Sequence, residues 1–228
     1  RAPLYSVGES KAIIVARQVW GLDPFANIDI WDKGVSKETI EKFLLGIPKI
    51  SDNYKLDVFI DEMDDLYLKI FSRMICRKNR IPVVMVTDNG DNVILDIERF
   101  DLEPERPIFH GLVEGLDINS LKPNMPYSQW VKIATKIVDP QNLTVRMRES
   151  LKEIGKTIAA VPQLGTTATV AGSAAAYAVR KISIGDKIIV QPSSVRGGEF
   201  TSLVDSGNIK LIRAGESLYY IEGRHILE

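Results

Sequence analysis

Four acidic side chains occur within five positions in the segment VFIDEMDD, residues 58–65. They are Asp61, Glu62, Asp64 and Asp65, and they follow an apolar run that is typical of a β-strand. Like charges this close together repel one another unless a cation or hydrogen-bond donors balance them. The segment therefore predicts either a solvated helix cap or a site that receives a positive ion.

Asp64 and Asp65 come after a predicted strand at residues 56–60. Ligands of open α/β sheets bind outside the carboxyl ends of the strands. A carboxylate at that position can hold Mg²⁺, which binds through one or two carboxylates together with substrate phosphates. Alternatively, one of the two aspartates caps the following helix, since aspartate is a preferred N-cap. The two roles can coexist, because there are more carboxylates than a cap needs.

Lys11 lies in the first turn of a predicted helix that follows the segment VGES. The N-terminus of a helix favours anions, and a lysine added to it strengthens a phosphate site. The alternative is a solvated lysine whose aliphatic stem covers apolar surface.

The other reactive side chains indicate no catalytic group. Cys76 lies on a predicted helix with an apolar stripe, which favours a small buried filler over a nucleophile. His110 and His225 have no convincing partner in the sequence. The segment LDIERFDLEPERP, residues 95–107, alternates acids and bases, and it is interpreted as a solvated, salt-bridged loop rather than one that crosses a site.

The composition excludes several classes of protein. With 228 residues, 45% of them hydrophobic, the chain is long enough for one sizeable core. A net charge of -1 gives no field that favours nucleic acid or acidic membranes. The single cysteine excludes an intramolecular disulfide and a multi-cysteine zinc site. No apolar run approaches the ~20 residues of a membrane span, and no signal peptide is visible, so a cytoplasmic location is expected.

The hydrophobic periodicity predicts alternating helices and strands. Helices are predicted at residues 10–20, 36–45, 65–78, 128–138, 144–158 and 163–182, and strands at 26–31, 56–60, 82–86, 93–97, 187–192, 208–212 and 217–221. This α/β order predicts a mainly parallel sheet with helices on both faces. The chain is divided into an α/β domain, residues 1–182, and a small β-rich extension, residues 183–228.

The helix at 163–182 is rich in small residues, with Gly165, Ala168, Gly172 and Ala175 at three- and four-residue spacing. We expect these residues to pack closely against the sheet or against a second subunit.

Several segments in this order resemble the ThiF/MoeB superfamily of ubiquitin-activating-enzyme-like adenylyltransferases. The resemblance rests on VGESKAIIVARQVWGLDPFANIDIW, LDVFIDEMDD, RIPVVMVT and VPQLGTTATVAGSAAAYAVRKI, and it spans roughly residues 1–182. The chain looks most similar to bacterial members that are fused to, or neighbour, a nitroreductase-like domain.

The resemblance implies a Rossmann-like sheet that binds ATP and Mg²⁺. It also implies adenylation of the C-terminal carboxylate of a ubiquitin-like protein, a sulfur-carrier protein or a peptide, often by a homodimer. Lys11 matches the lysine that contacts the ATP phosphates, and Asp64 matches the aspartate associated with Mg²⁺ and the phosphates. Asp65 stands where many members carry asparagine. Arg1 falls close after the position of the family's N-L-x-R segment, whose principal arginine is expected just upstream.

The chain departs from this pattern in three ways. Neither G-x-G-x-x-G nor G-x-x-x-x-G-K-[ST] occurs, and the family's glycine loop and ribose-binding acid are expected upstream of Arg1. The zinc-binding C-x-x-C pairs of many relatives are absent, and no cysteine stands where thioester-forming members carry one. The resemblance therefore favours acyl-adenylation without an enzyme thioester. The alternatives are a catalytically silent interaction domain of the same fold, and a Rossmann enzyme that uses NAD or S-adenosylmethionine.

Overall fold

A three-stranded mixed sheet lies at the centre of the computed structural model, which describes residues 4–46, 55–90, 92–118, 121–122, 125–138, 143–186, 210–214 and 218–222. The described helices are α1 (Lys11–Leu22), α2 (Ile40–Leu45), α3 (Leu66–Lys78), α4 (Tyr127–Val138), α5 (Val145–Glu153) and α6 (Gly165–Ser183). The strands are β1 (Phe59–Ile60), β2 (Val83–Asn89), β3 (Asn92–Glu98), β4 (Lys210–Ala214) and β5 (Leu218–Glu222). The α/β class is confirmed.

The described strands do not form the mainly parallel sheet that the sequence predicted. β1 and β2 are parallel, with α3 as the connection between them, but β2 and β3 are antiparallel, and the order is β1-β2-β3. β2 turns directly into β3 beyond the pair Asn89–Asn92. Gly90 in that turn has φ +66°, a left-handed conformation that glycine adopts without strain. Because of this tight turn, β3 runs back alongside β2 in the antiparallel direction.

The strand predicted at residues 26–31 is wrong, because this segment has no pairing partner among the described residues. Its first residue ends a turn, in which the Ala26 N–H donates to the Asp23 carbonyl at 3.2 Å. Trp31 at its end packs edge-on against Phe43 at 5.6 Å between ring centroids. Alternating hydrophobicity alone does not make a strand when no neighbour receives its backbone hydrogen bonds.

α6 covers one face of the sheet, which confirms that this helix packs against the strands. Ala178 packs on Val84 and Ile97, and Ala171 packs on Val86 and Val93. Of the predicted contact residues, Ala175 packs on this face, whereas Ala168 and Gly172 do not and are exposed in the single chain. Their packing against a second subunit stays a prediction. A Cβ built on Gly172 meets no atom within 4 Å.

The opposite face is covered by α2, α3, α4 and the segment after β3, which confirms helices on both faces. They enclose the largest core cluster, whose fully buried members include Ile40, Leu44, Ile70, Val83 and Phe100. Cys76 is part of this core, and burial raises the pKa of its thiol to about 12. The interpretation of Cys76 as a buried filler is confirmed.

In the C-terminal part, β4 and β5 form a two-stranded antiparallel sheet. The division of the chain into an α/β domain and a small β-rich extension stays a prediction. The strand predicted at residues 187–192 lies outside the described residues. In the part of the chain that the structure describes, no helix has the length and apolarity needed to cross a membrane.

Candidate functional site at the carboxyl ends of β1 and β2

Most of the crowded carboxylates that follow β1 are balanced by donors of the chain itself. Asp61 is fully buried, and its Oδ2 contacts the Arg73 guanidinium and, at 3.0 Å, Lys69 Nζ. Its Oδ1 accepts a hydrogen bond from the Met63 N–H at 3.1 Å. Asp61 therefore fixes the start of the turn to α3 rather than facing a ligand.

Glu62 joins the same turn to the neighbouring strand. Its Oε1 accepts a hydrogen bond from the Val86 N–H at 3.0 Å. Burial raises the pKa of Glu62, and the charges of Asp61 and Asp88 add to this rise, while the Val86 N–H and Lys69 oppose it. Asp88 follows Val86 by two residues on β2, so the carboxyl groups of Glu62 and Asp88 form one acidic region at the edge of the sheet.

Asp65 caps α3, because its Oδ1 accepts a hydrogen bond from the Leu68 N–H at 3.1 Å. The capping alternative is thus confirmed for Asp65. The carboxylate of Asp64 is exposed, and among the described residues it has no hydrogen-bond or ion-pair partner. Of the four clustered acids, Asp64 is therefore available to an external cation.

Arg73 of α3 holds the turn in place through a network that sequence reasoning missed. Its Nη1 contacts Asp61, its Nε donates to Glu98 Oε2 at 2.5 Å, and its guanidinium carbon lies 3.8 Å from the Phe109 ring centroid. Burial lowers the pKa of Arg73, but the charges of Glu98 and Asp61 outweigh burial and raise the pKa overall, so the guanidinium stays ionised. The network connects β1, α3 and β3 through charge-assisted hydrogen bonds.

A second polar pair continues this network on β3. His110 Nε2 lies 3.0 Å from Asp96 Oδ1, and Arg106 Nη1 lies 3.0 Å from His110 Nδ1. Burial lowers the pKa of His110, but the hydrogen bond and charge of Asp96 outweigh burial and raise it overall. Phe109 and His110 both adopt left-handed backbone conformations, with φ +48° and +52°. Such strain is held by surrounding contacts, here the 2.6 Å bond from the Phe109 N–H to Glu98 Oε1.

A cavity of about 100 Å³ opens at the carboxyl end of β2. Its apolar wall comes from α4, α5 and the following segment, and includes Trp130, Ala134, Met147 and Val161. Asp88 of β2 also lines it. Trp130 connects the cavity to the turn after β1, since its Nε1 donates to the Asp64 carbonyl at 3.3 Å.

The structure places Lys11 at the first position of α1, where it is exposed. No recorded hydrogen bond or ion pair joins Lys11 to Asp64 within the described residues. Arg1 lies outside them. In the described part of the chain, no group of three or more His, Cys, Asp or Glu side chains could enclose a metal ion. A Mg²⁺ ion at Asp64 would instead need phosphate and water ligands.

One relative covers most of this chain. The uncharacterized protein MT1398 of Mycobacterium tuberculosis (strain CDC 1551 / Oshkosh) is 35% identical to it over 185 residues, which are 81% of this chain and 24% of the relative. The chain thus spans about a quarter of the relative's length. No model of a known protein family matches the chain, and no solved structure matches it.

Proposed function

We propose that the chain takes part in ATP-dependent adenylation of a carboxylate, as its resemblance to the ThiF/MoeB superfamily implies. The observation that carries the proposal is Asp64. It is the one acid of the cluster without a partner among the described residues, and it follows the carboxyl end of the β1-α3-β2 parallel unit. Ligands of α/β sheets bind at this edge.

In the proposed reaction the protein positions the substrate carboxylate and ATP and compensates the negative charge of the phosphates. A carboxylate oxygen of the substrate bonds to the α-phosphorus of ATP, and the bond from that phosphorus to the pyrophosphate oxygen breaks. Mg²⁺, when bound, offsets the phosphate charge. Asp64 supplies a carboxylate ligand, and Lys11 at the start of α1 supplies a cation for the phosphates. Arg1 and Asp65 are proposed as further nucleotide-binding residues, Asp65 through its cap of α3.

The partners follow from the same resemblance. The proposed acyl substrate is a ubiquitin-like protein, a sulfur-carrier protein or a peptide, and the proposed assembly is a cytoplasmic homodimer. A nitroreductase-like domain is proposed as a fused or neighbouring unit. We propose that β1 and β2 belong to a larger, mainly parallel Rossmann-like sheet.

The test compares two exposed aspartates at opposite ends of β1, Asp64 and Asp57. In the full-length protein, Asp64→Ala should weaken Mg²⁺-ATP binding, measured by calorimetry. It should also depress substrate-driven ATP–pyrophosphate exchange by ~10²–10³, the usual effect of losing one transition-state contact. Lys11→Ala should act in the same direction, whereas Asp57→Ala should match the parent protein. Equal Mg²⁺-ATP binding by the parent, Asp64→Ala and Lys11→Ala proteins would contradict the proposal.

A second candidate is a catalytically silent interaction domain. It is favoured by large apolar side chains that are exposed near the end of α1, since such side chains can pack against a partner. Leu22 and Phe25 are 90% and 92% exposed. If the parent protein shows no Mg²⁺-ATP binding at all, this second candidate becomes the better account.

A further inference from the structure

Asp88 has one carboxyl oxygen without a partner and lies beside an apolar cavity. Its Oδ1 is buried and has no hydrogen-bond partner, the one such side-chain atom found among the described residues. No ion pair is recorded for Asp88 in the described part of the chain, and burial raises the pKa of its carboxyl. A buried polar oxygen without a donor destabilises the folded chain by about 1–3 kcal/mol, so such an atom calls for an explanation.

The cavity beside Asp88 is poorly suited to water. An ordered water needs two to four polar partners. Here the wall includes Trp130, Ala134, Met147 and Val161. The hydroxyl of Thr135, which also lines the cavity, already donates to the Val131 carbonyl. An apolar group fits this wall better than a cluster of waters does.

The negative charge beside the cavity favours a ligand with a cationic head group. Asp88 lines the cavity, and Glu62 accepts a hydrogen bond from the N–H of Val86, two residues before Asp88 on β2. Two neighbouring carboxyl groups without a cationic side chain at Asp88 repel an anion and attract a cation. A primary ammonium group supplies three donors on a compact charge, which suits an acceptor at the edge of a small space.

We propose that this cavity is a binding site for a small primary amine, with the ammonium group on the Asp88 carboxylate and a compact hydrocarbon body against Trp130, Ala134 and Met147. An apolar cavity of ~150 Å³ accommodates benzene, so about 100 Å³ suits a branched body of about four carbons. The proposal stands independently of adenylation, because it uses neither Asp64 nor Lys11.

The experiment uses three probes that share an isobutyl group and differ in the head group: isobutylamine, isobutanol and isovalerate. Binding to the full-length protein is followed by NMR through the indole N–H of Trp130, which lies in the cavity wall. Isobutylamine should bind at least tenfold more tightly than isobutanol, and isovalerate should not bind. Equal binding of the amine and the alcohol would overturn the proposal.

Two variants and a control locate the site. Asp88→Asn removes the charge and keeps the shape, and it should reduce isobutylamine affinity at least tenfold while leaving isobutanol affinity unchanged. Ala134→Leu should fill the cavity and abolish binding of both probes. Asp57→Asn, at an exposed carboxylate on the opposite end of β1, should bind as the parent does. If Ala134→Leu does not fold, the Asp88→Asn comparison decides alone, and unchanged amine affinity in that variant overturns the assignment.

Discussion

At the scale of single residues, the carboxylates after β1 have different partners and therefore different structural roles. Asp61 is paired with Arg73 and Lys69, Glu62 with a backbone N–H of β2, and Asp65 with the first turn of α3. The sequence showed that the charges need balancing but not which groups balance them. Arg73 is 12 positions from Asp61 and 25 from Glu98, and only the folded arrangement of β1, α3 and β3 brings the three together.

The buried position of Arg73 makes its removal severe. Arg73→Met replaces the guanidinium group with an apolar side chain and leaves Glu98 buried without its cation. We expect the free energy of unfolding, measured by urea denaturation, to fall by about 3–5 kcal/mol, as for other broken buried pairs.

Arg77 provides the matched control, since it lies one turn further along α3 and forms no ion pair among the described residues. Arg77→Met should change the free energy of unfolding by less than about 0.5 kcal/mol. The double variant Arg73→Met with Glu98→Gln should recover part of the loss, because no buried charge then lacks its partner at β3. Equal effects of the two arginine variants would show that the network does not stabilise the fold.

At the scale of elements, periodicity predicted that most of the helices exist but not always which side they bury. Of the apolar stripe predicted for α3, Leu66 and Ile70 are buried, whereas Ile75 is half-buried and Met74 is 38% exposed. In α6, small residues occur on two adjacent sides, so composition could not choose between Ala168–Gly172 and Ala171–Ala178. The reversal of β3 did have a signal, since Gly90-Asp91 between two apolar runs is typical of a two-residue hairpin loop.

Two alanines of α6 test which side is packed. Ala178 is fully buried against Val84 and Ile97, whereas Ala176 is exposed. Ala178→Leu should lower the free energy of unfolding by about 1–3 kcal/mol through overpacking, and Ala176→Leu should change it by less than about 0.5 kcal/mol. Chemical denaturation of both variants measures the difference. A larger loss for Ala176→Leu would place the packed side of α6 elsewhere.

At the scale of the whole molecule, burial is concentrated in the layers around the sheet. Seven of the 13 residues of α3 are buried, but only Ile14 and Ala16 of the 12 in α1 are. Local stability follows such differences in buried contact. The sequence predicted the layered α/β class, because each amphipathic element must bury one side. It predicted the direction of β3 wrongly and did not predict the sparse burial of α1, because both depend on which neighbours each element finds.

Hydrogen exchange should reveal this uneven stability. In the isolated chain, the amides of α1 should exchange more than about tenfold faster than those of α3 and β2, corresponding to a local opening free energy at least ~1.4 kcal/mol lower. Mass spectrometry of peptic fragments resolves the three elements. Equal protection of α1 and α3 would mean that α1 unfolds only with the whole domain.

The fluorescence of Trp130 can report on two regions of the protein. Its N–H donates to the Asp64 carbonyl while its ring lines the cavity beside Asp88, so one fluorophore borders both regions. The chain's other two tryptophans, Trp20 and Trp31, precede α2 and can be replaced by phenylalanine. In that single-tryptophan protein, exclusion of water from the cavity would shift the emission to the blue. Loss of the hydrogen bond from the Trp130 indole N–H to the Asp64 carbonyl would change the emission intensity. A shift in wavelength and a change in intensity therefore distinguish an event in the cavity from one at Asp64.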